Sequence, residues 1–254
     1  MTWRKIVPNL FTLAALTAAA LSILNAINGE FLQSAQLIML CLILDGFDGN
    51  VARLFKGTTK FGAELDTFVD IIGYGVAPAI LSYQVALKDF GTWGVALVCL
   101  TMMSGSLRLA RFRVADPFRG QHGFCGLPIT ANASWLAMAI FVSQAGILQS
   151  DFISLTDGPM AAVVWTCSVF MLFLQVSNVR YSKPSKTPVL FFGGTVMVML
   201  LFLKVQVGVS AAFAMLAYLF FYAFISPFMP KHRDVLEPTD EDDEEEHPVT
   251  VRHS

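Results

Sequence analysis

The sequence predicts an all-α, polytopic membrane bundle of eight transmembrane helices, a six-helix core plus a C-terminal hairpin, with the N and C termini cytoplasmic. Three observations predict it. Of 254 residues, 55% are hydrophobic and 14% charged, with a mean hydropathy of +0.61, whereas soluble domains run at roughly 45–50% apolar and about 25% charged. The apolar residues fall in runs of about 18–25, each long enough to cross a ~30 Å hydrocarbon layer as a helix. The cationic residues are shared very unequally between the loops. An ordinary cytosolic globule is excluded, and no nucleic acid partner is expected.

The runs follow in order. The first covers about 10–27 and ends at Asn28-Gly29, and the second covers 31–54. Lys56-Gly57 separates it from the third, 60–87, and the fourth and fifth cover 92–113 and 127–148. Asp157-Gly158-Pro159 opens the sixth, 159–179, and Lys183-Pro184 precedes the seventh, 188–205. A few residues, Gln206 and Gly208 among them, join it to the eighth, 209–228, as a tight hairpin. Each break is made of residues that end helices. The first run has Trp3-Arg4-Lys5 before it, no small-residue cleavage site after it and further spans to follow, so it is expected to stay as a span. With eight spans, 15 of the 17 Lys and Arg fall on one face, and only Lys88 and Lys204 on the other. Cation-rich loops mark the cytoplasmic side, and dropping any one span would scramble the split.

Residues 1–233 carry 16 Lys and Arg against 10 Asp and Glu, while 234–254 carry only Arg252 against nine acids. The chain is therefore expected to divide into a transmembrane domain, 1–233, and an acidic, disordered cytoplasmic tail, 234–254. Cys41, Cys99, Cys125 and Cys167 show no close pairing and read as free thiols.

Ionisable groups inside a span are costly and suggest function. Asp45 and Asp48 are i,i+3 on the second run; Asp66 and Asp70 are i,i+4 on the third, with Glu64 nearby. Each pair shares a helix face. Counting 1.5 Å per residue places Asp45 and Asp48 roughly 9 and 4 Å below the cytoplasmic boundary, and Asp66 and Asp70 about 9 and 15 Å deep. The pairs lie at similar depth on antiparallel helices and can meet. Facing carboxylates repel unless cations neutralise them. An all-oxygen set suits Mg²⁺ or Mn²⁺, and two such ions ~3.5–4 Å apart clamp an in-line displacement at phosphorus. On spacing alone, a proton or cation relay in a transporter stays open. Gly49, Ala52, Gly57, Gly62 and Ala63 leave room beside the acids. Arg53 is placed to meet an anion, and Gly73-Tyr74-Gly75 with Pro78 can bend the third helix.

Taken together, Asp45-x2-Asp48-Gly49-x2-Ala52-Arg53-x8-Gly62-x3-Asp66-x3-Asp70 resembles the full signature of the CDP-alcohol phosphotransferases, with every fixed position occupied. The resemblance implies that Asp45, Asp48 and Asp66 bind two divalent cations, with Asp70 ligating one of them and acting as general base on an acceptor hydroxyl. Gly49, Ala52, Arg53 and Gly62 would border the cytidine diphosphate. Pro8-Asn9-x2-Thr12 is similar to an N-terminal element that approaches the nucleotide, although Asn9 also reads as a plain helix-start residue.

Ser106-Leu107-Arg108-Leu109-Ala110-Arg111-Phe112-Arg113 and Phe124-Cys125-Gly126-Leu127-Pro128 resemble the membrane-embedded phosphatidylserine synthases of that family, as does the total of eight spans. Arg113 stands where their usual form has Asn, so acceptor binding is carried over to Arg108 and Arg111 alone. A fixed guanidinium suits the carboxylate of L-serine, and also other anionic acceptors such as glycerol or inositol phosphates. The implied substrates are CDP-diacylglycerol, or an archaeal ether lipid in its place, and L-serine. The implied setting is membrane lipid, as a homodimer in the cell (inner) membrane with the site facing the cytoplasm.

Overall fold

A computed structural model describes residues 3–55, 59–115, 123–147, 153–182 and 188–228. Gly57, Arg119, His122 and the acidic tail lie outside the described residues. Helices α1 (Trp3–Ile27) and α2 (Phe31–Leu54) pack antiparallel along their lengths. Their turn needs the left-handed backbone of Gly29, φ 85°. There the Gly29 and Glu30 amides reach back to the Ala26 and Asn25 carbonyls, at 3.3 and 2.8 Å, satisfying the helix end. Ala15, Ala18, Ala19 and Ala35 are buried along this seam, small enough for close backbone approach. The Ser22 and Ser34 hydroxyls donate to each other's carbonyls at 3.0 and 2.9 Å.

Thr59 caps α3 (Lys60–Asp70), its Oγ1 accepting from the Gly62 amide at 3.0 Å. The helix then widens into one π-helical turn (Ile71–Val76) before α4 (Ala77–Val85). Pro78 has no N–H for the Tyr74 carbonyl, and two glycines flank Tyr74, so the wide turn falls where the sequence expects a bend. After a short 3₁₀ turn, α5 (Gly91–Ala115) begins. A Cβ on Gly94 would lie 1.8 Å from the Leu87 carbonyl oxygen, so only glycine admits this approach.

At the centre stands α6 (Ile129–Gln144), with thirteen of its sixteen residues buried. Around it pack α2, α4, α7 (Pro159–Val176) and α9 (Val205–Phe220). The last pair, α8 (Pro188–Leu200) and α9, is tied to α2 where Gln36 donates to the Leu201 carbonyl at 2.7 Å. Leu10, Leu21, Trp93, Phe170 and Phe173 are exposed on the outside, a surface suited to lipid.

Among the described residues, six helical segments have the length and apolar composition to cross a membrane: Val7–Ile27, Phe31–Ala52, Lys60–Val85, Leu87–Val114, Pro159–Val176 and Val205–Phe228. The protein is thus a helical, multi-pass membrane protein. The runs expected at 127–148 and 188–205 form α6 and α8, which are only 16 and 13 residues long. That is about 24 and 20 Å at the helical rise. Pro128 delays the start of α6, and Gly146, φ 68°, marks the turn beyond its end. Leu201–Leu203 tighten into i→i−3 bonds in place of continuing α8.

One element is absent from the sequence reading. Strand β1 (Gly123–Cys125) pairs antiparallel with β2 (Arg180–Ser182), joining the entry of α6 to the exit of α7. Burial pushes the Tyr181 phenol up, and it donates to the Ala223 carbonyl at 2.9 Å, fastening the ribbon to the end of the last helix. Gly126 follows β1 at φ 79°, where a Cβ would lie 2.2 Å from the Gln175 carbonyl oxygen. Gly126→Ala is therefore expected to lose about 2–3 kcal/mol. A thermal midpoint lowered by several degrees would register this loss, and an unchanged midpoint would show that the junction relaxes.

Candidate active site

The α2–α3 hairpin brings three of the four predicted acids to one point. Single carboxylate oxygens of Asp45, Asp48 and Asp66 all lie within 4.8 Å of one another. Both α2 and α3 pack on α1, and this brings the i,i+3 face of α2 and the i,i+4 face of α3 to one point. Asp70 stands one turn beyond Asp66, outside this triad but in electrostatic reach of Asp66, Asp48 and Arg108. Asp48 is buried, and the Thr12 hydroxyl of α1 donates to its Oδ2 at 2.6 Å. That bond fixes the carboxylate's orientation. Three oxygen donors, with no imidazole or thiolate among them, suit a hard divalent cation.

Beside the triad a cleft of about 480 Å³, partly open to solvent, lies between α1, α2 and the start of α3. Five predicted nucleotide residues line it: Asn9, Thr12, Gly49, Ala52 and Gly62. Arg53, the sixth, belongs to α2 just past Ala52, and its side chain lies outside the described set. The two glycines serve different ends. A Cβ on Gly62 would meet Asn9 Oδ1 at 3.0 Å and Thr59 Oγ1 at 3.1 Å, so glycine keeps α3 against α1. A Cβ on Gly49 would meet nothing within 4 Å, leaving a cradle for a ligand.

The two predicted acceptor arginines diverge. Arg108 on α5 is 6% exposed, with its guanidinium carbon 5.5 Å from the Phe112 ring centroid and its charge in reach of Asp70. Arg111 turns the other way. Its Nη1 donates to the Val176 carbonyl and Asn178 Oδ1, at 2.8 and 3.2 Å. Its Nη2 donates to the carbonyls of Ser177, Cys125 and Gln175, at 2.7, 3.0 and 3.3 Å. The guanidinium thus caps the C-terminus of α7 and binds β1 to it. Arg113 pairs with Glu64 at the exposed end of α3, a contact expected to contribute little.

Several residues at or near the site escape sequence reasoning. Thr59 lines the cleft while capping α3. Cys41 and Tyr74 are buried one turn below Asp45 and one turn past Asp70. A Cβ on Gly73 would meet Cys41 Sγ at 2.7 Å, which explains that glycine. Ser104 and Gln175 form a buried pair between α5 and α7. A lone amide in the apolar run of α7 is the one signal that points to Gln175 from sequence.

The profile of the CDP-alcohol phosphatidyltransferase family matches residues 5–167. A CDP-diacylglycerol–serine O-phosphatidyltransferase of Helicobacter pylori is 34% identical over 179 residues, covering 70% of this chain and 73% of that protein. A protein of the same name from Methanocaldococcus jannaschii is 31% identical over 173 residues, covering 68% and 75%. An archaetidylserine synthase of Methanothermobacter thermautotrophicus is 34% identical over 148 residues, covering 58% and 62%. With its aspartate triad and cleft inside the matched segment, the chain belongs to the CDP-alcohol phosphatidyltransferase family.

Proposed function

We propose that this protein transfers the phosphatidyl group of CDP-diacylglycerol to the hydroxyl of L-serine, giving phosphatidylserine and CMP. The observation that carries this reading is the aspartate triad, within 4.8 Å, two of whose members, Asp48 and Asp66, line a cleft together with five of the predicted nucleotide residues. The serine acceptor is supported by the relatives' names, which keep serine while the lipid changes between diacylglycerol and archaetidyl.

Asp45, Asp48 and Asp66 would hold two divalent cations, Mg²⁺ or Mn²⁺, with Asp70 ligating one of them. When bound, such ions neutralise the diphosphate and the departing CMP. Thr12 keeps Asp48 turned toward the cleft, Asn9, Gly49, Ala52 and Gly62 border the nucleotide, and Arg53 meets its charge. The donor's acyl chains remain in lipid. Asp70 takes the proton of the serine hydroxyl, whose oxygen attacks the lipid-linked phosphorus. A new P–O bond to serine forms, and the bond to the CMP oxygen breaks. Arg108 holds the serine carboxylate, while Arg111 fastens α5, α7 and β1 around it.

The same reading takes α6 and α8 as the fifth and seventh of eight spans. It puts both termini and the site on the cytoplasmic side of the inner membrane, divides the chain into a 1–233 membrane domain and a 234–254 tail, and pairs two copies as a homodimer. Purified protein given CDP-diacylglycerol and a panel of alcohols is expected to release CMP only with L-serine. Release with glycerol 3-phosphate or inositol phosphate and none with serine would overturn the acceptor. Ion flux in proteoliposomes with no CMP from any alcohol would overturn the enzyme.

A further inference from the structure

We infer that Gln175, at the seam of α5 and α7, completes with Arg108 a subsite for the carboxylate of a small amino-acid acceptor, which makes Gln175 a specificity-determining residue. The inference rests on the serine-transfer reading above and adds a residue beyond the segment that the family profile matches, 5–167.

Gln175 is fully buried in the last turn of α7. Its Oε1 accepts from the Ser104 hydroxyl at 2.9 Å, and that bond orients the amide. The other end of the same amide is unmatched: Nε2 is buried and has no hydrogen-bond partner. An interior N–H2 in that state is costly, and native interiors nearly always satisfy such groups. A ligand oxygen is the natural complement.

The position of the amide indicates what kind of oxygen. Ser104 and Arg108 are i,i+4 on α5, so the amide held by Ser104 lies on the helix face that also carries Arg108. Arg108 is itself buried, in electrostatic reach of Asp70 and of Tyr222 at the end of the last helix. Amide and guanidinium offer N–H donors only. A planar carboxylate accepts from both, and a neutral alcohol offers no anion to do so. Arg111, the next cation along α5, is committed to the carbonyls of α7 and β1 and does not compete. An amino acid seated by its carboxylate against Gln175 and Arg108 presents its short hydroxyl arm toward Asp70.

The test compares wild type with Gln175→Met, which keeps the length and apolar character of the side chain while removing the amide. Ser104 retains the Thr101 carbonyl as an acceptor, at 3.1 Å. Steady-state CMP release is measured with L-serine and with serinol, its carboxylate-free analogue, at varied CDP-diacylglycerol. The expected result is a KM for L-serine at least tenfold higher, with kcat within about threefold and the KM for CDP-diacylglycerol unchanged. The preference for serine over serinol is expected to shrink by the same factor. Gln175→Asn withdraws the amide without deleting it, serves if the methionine variant does not fold, and is expected to raise the same KM. An unchanged serine KM and serine-to-serinol ratio, or an equal rise in both substrates' KM, overturns the subsite. Wild type that works with glycerol 3-phosphate and not with serine overturns the underlying reading instead, and the subsite with it.

Discussion

Asp70→Asn is expected to lower turnover by about 10²–10⁴-fold, the usual range for a lost general base, while leaving donor binding in place. The asymmetry comes from position. Asp70 stands one turn beyond the three oxygens that lie within 4.8 Å of one another, so replacing it leaves the triad and the cleft lining intact. Asparagine has the same shape and cannot take a proton from the acceptor hydroxyl. The check is CMP release alongside thermal stabilisation of the variant by CDP-diacylglycerol. Normal turnover would remove the base assignment. Because Asp70 also faces the buried Arg108, the variant's own thermal midpoint is recorded. A collapse of that midpoint would trace the loss to an uncompensated interior charge and not to proton transfer.

The second large effect is expected from the triad itself. Chelation should abolish activity, and Mg²⁺ or Mn²⁺ should restore it. Asp66→Ala should lose about 10³-fold or more and should not recover on adding either ion, because several kcal/mol of charge stabilisation disappears with the ligand. Asp66 lies at the cleft wall, and its removal disturbs little of the apolar core. CMP release before and after re-addition of each ion is the measurement, and full activity in excess chelator would remove the metal assignment.

Much of this site is legible in the chain because its geometry is local. The i,i+3 and i,i+4 spacings of Asp45, Asp48, Asp66 and Asp70 define faces of two helices, and a short link makes those faces meet. The small residues beside them are equally readable, although their separate reasons, contact at Gly62 and open space at Gly49, emerge only in three dimensions. What was not legible depends on partners far along the chain. Arg108 and Arg111 look alike in sequence, yet one faces Asp70 and the other grips the end of α7. The β1–β2 ribbon joins residues 123–125 to 180–182, and no local pattern announces such a pairing. Hydropathy does not record where a helix hands over to a turn, so the bounds of α6 and α8 within 127–148 and 188–205 emerge only in three dimensions.

The π-helical turn at Ile71–Val76 carries a consequence for how the third span can vary. It begins immediately after Asp70, and its one surplus residue offsets everything downstream by about 100° of helical phase. The acid-bearing portion and the bilayer-crossing remainder are thereby released from a common periodicity. Apolar substitutions can accumulate beyond the turn, tuning the fit of α4 to its neighbours, without rotating the reactive carboxylates out of alignment.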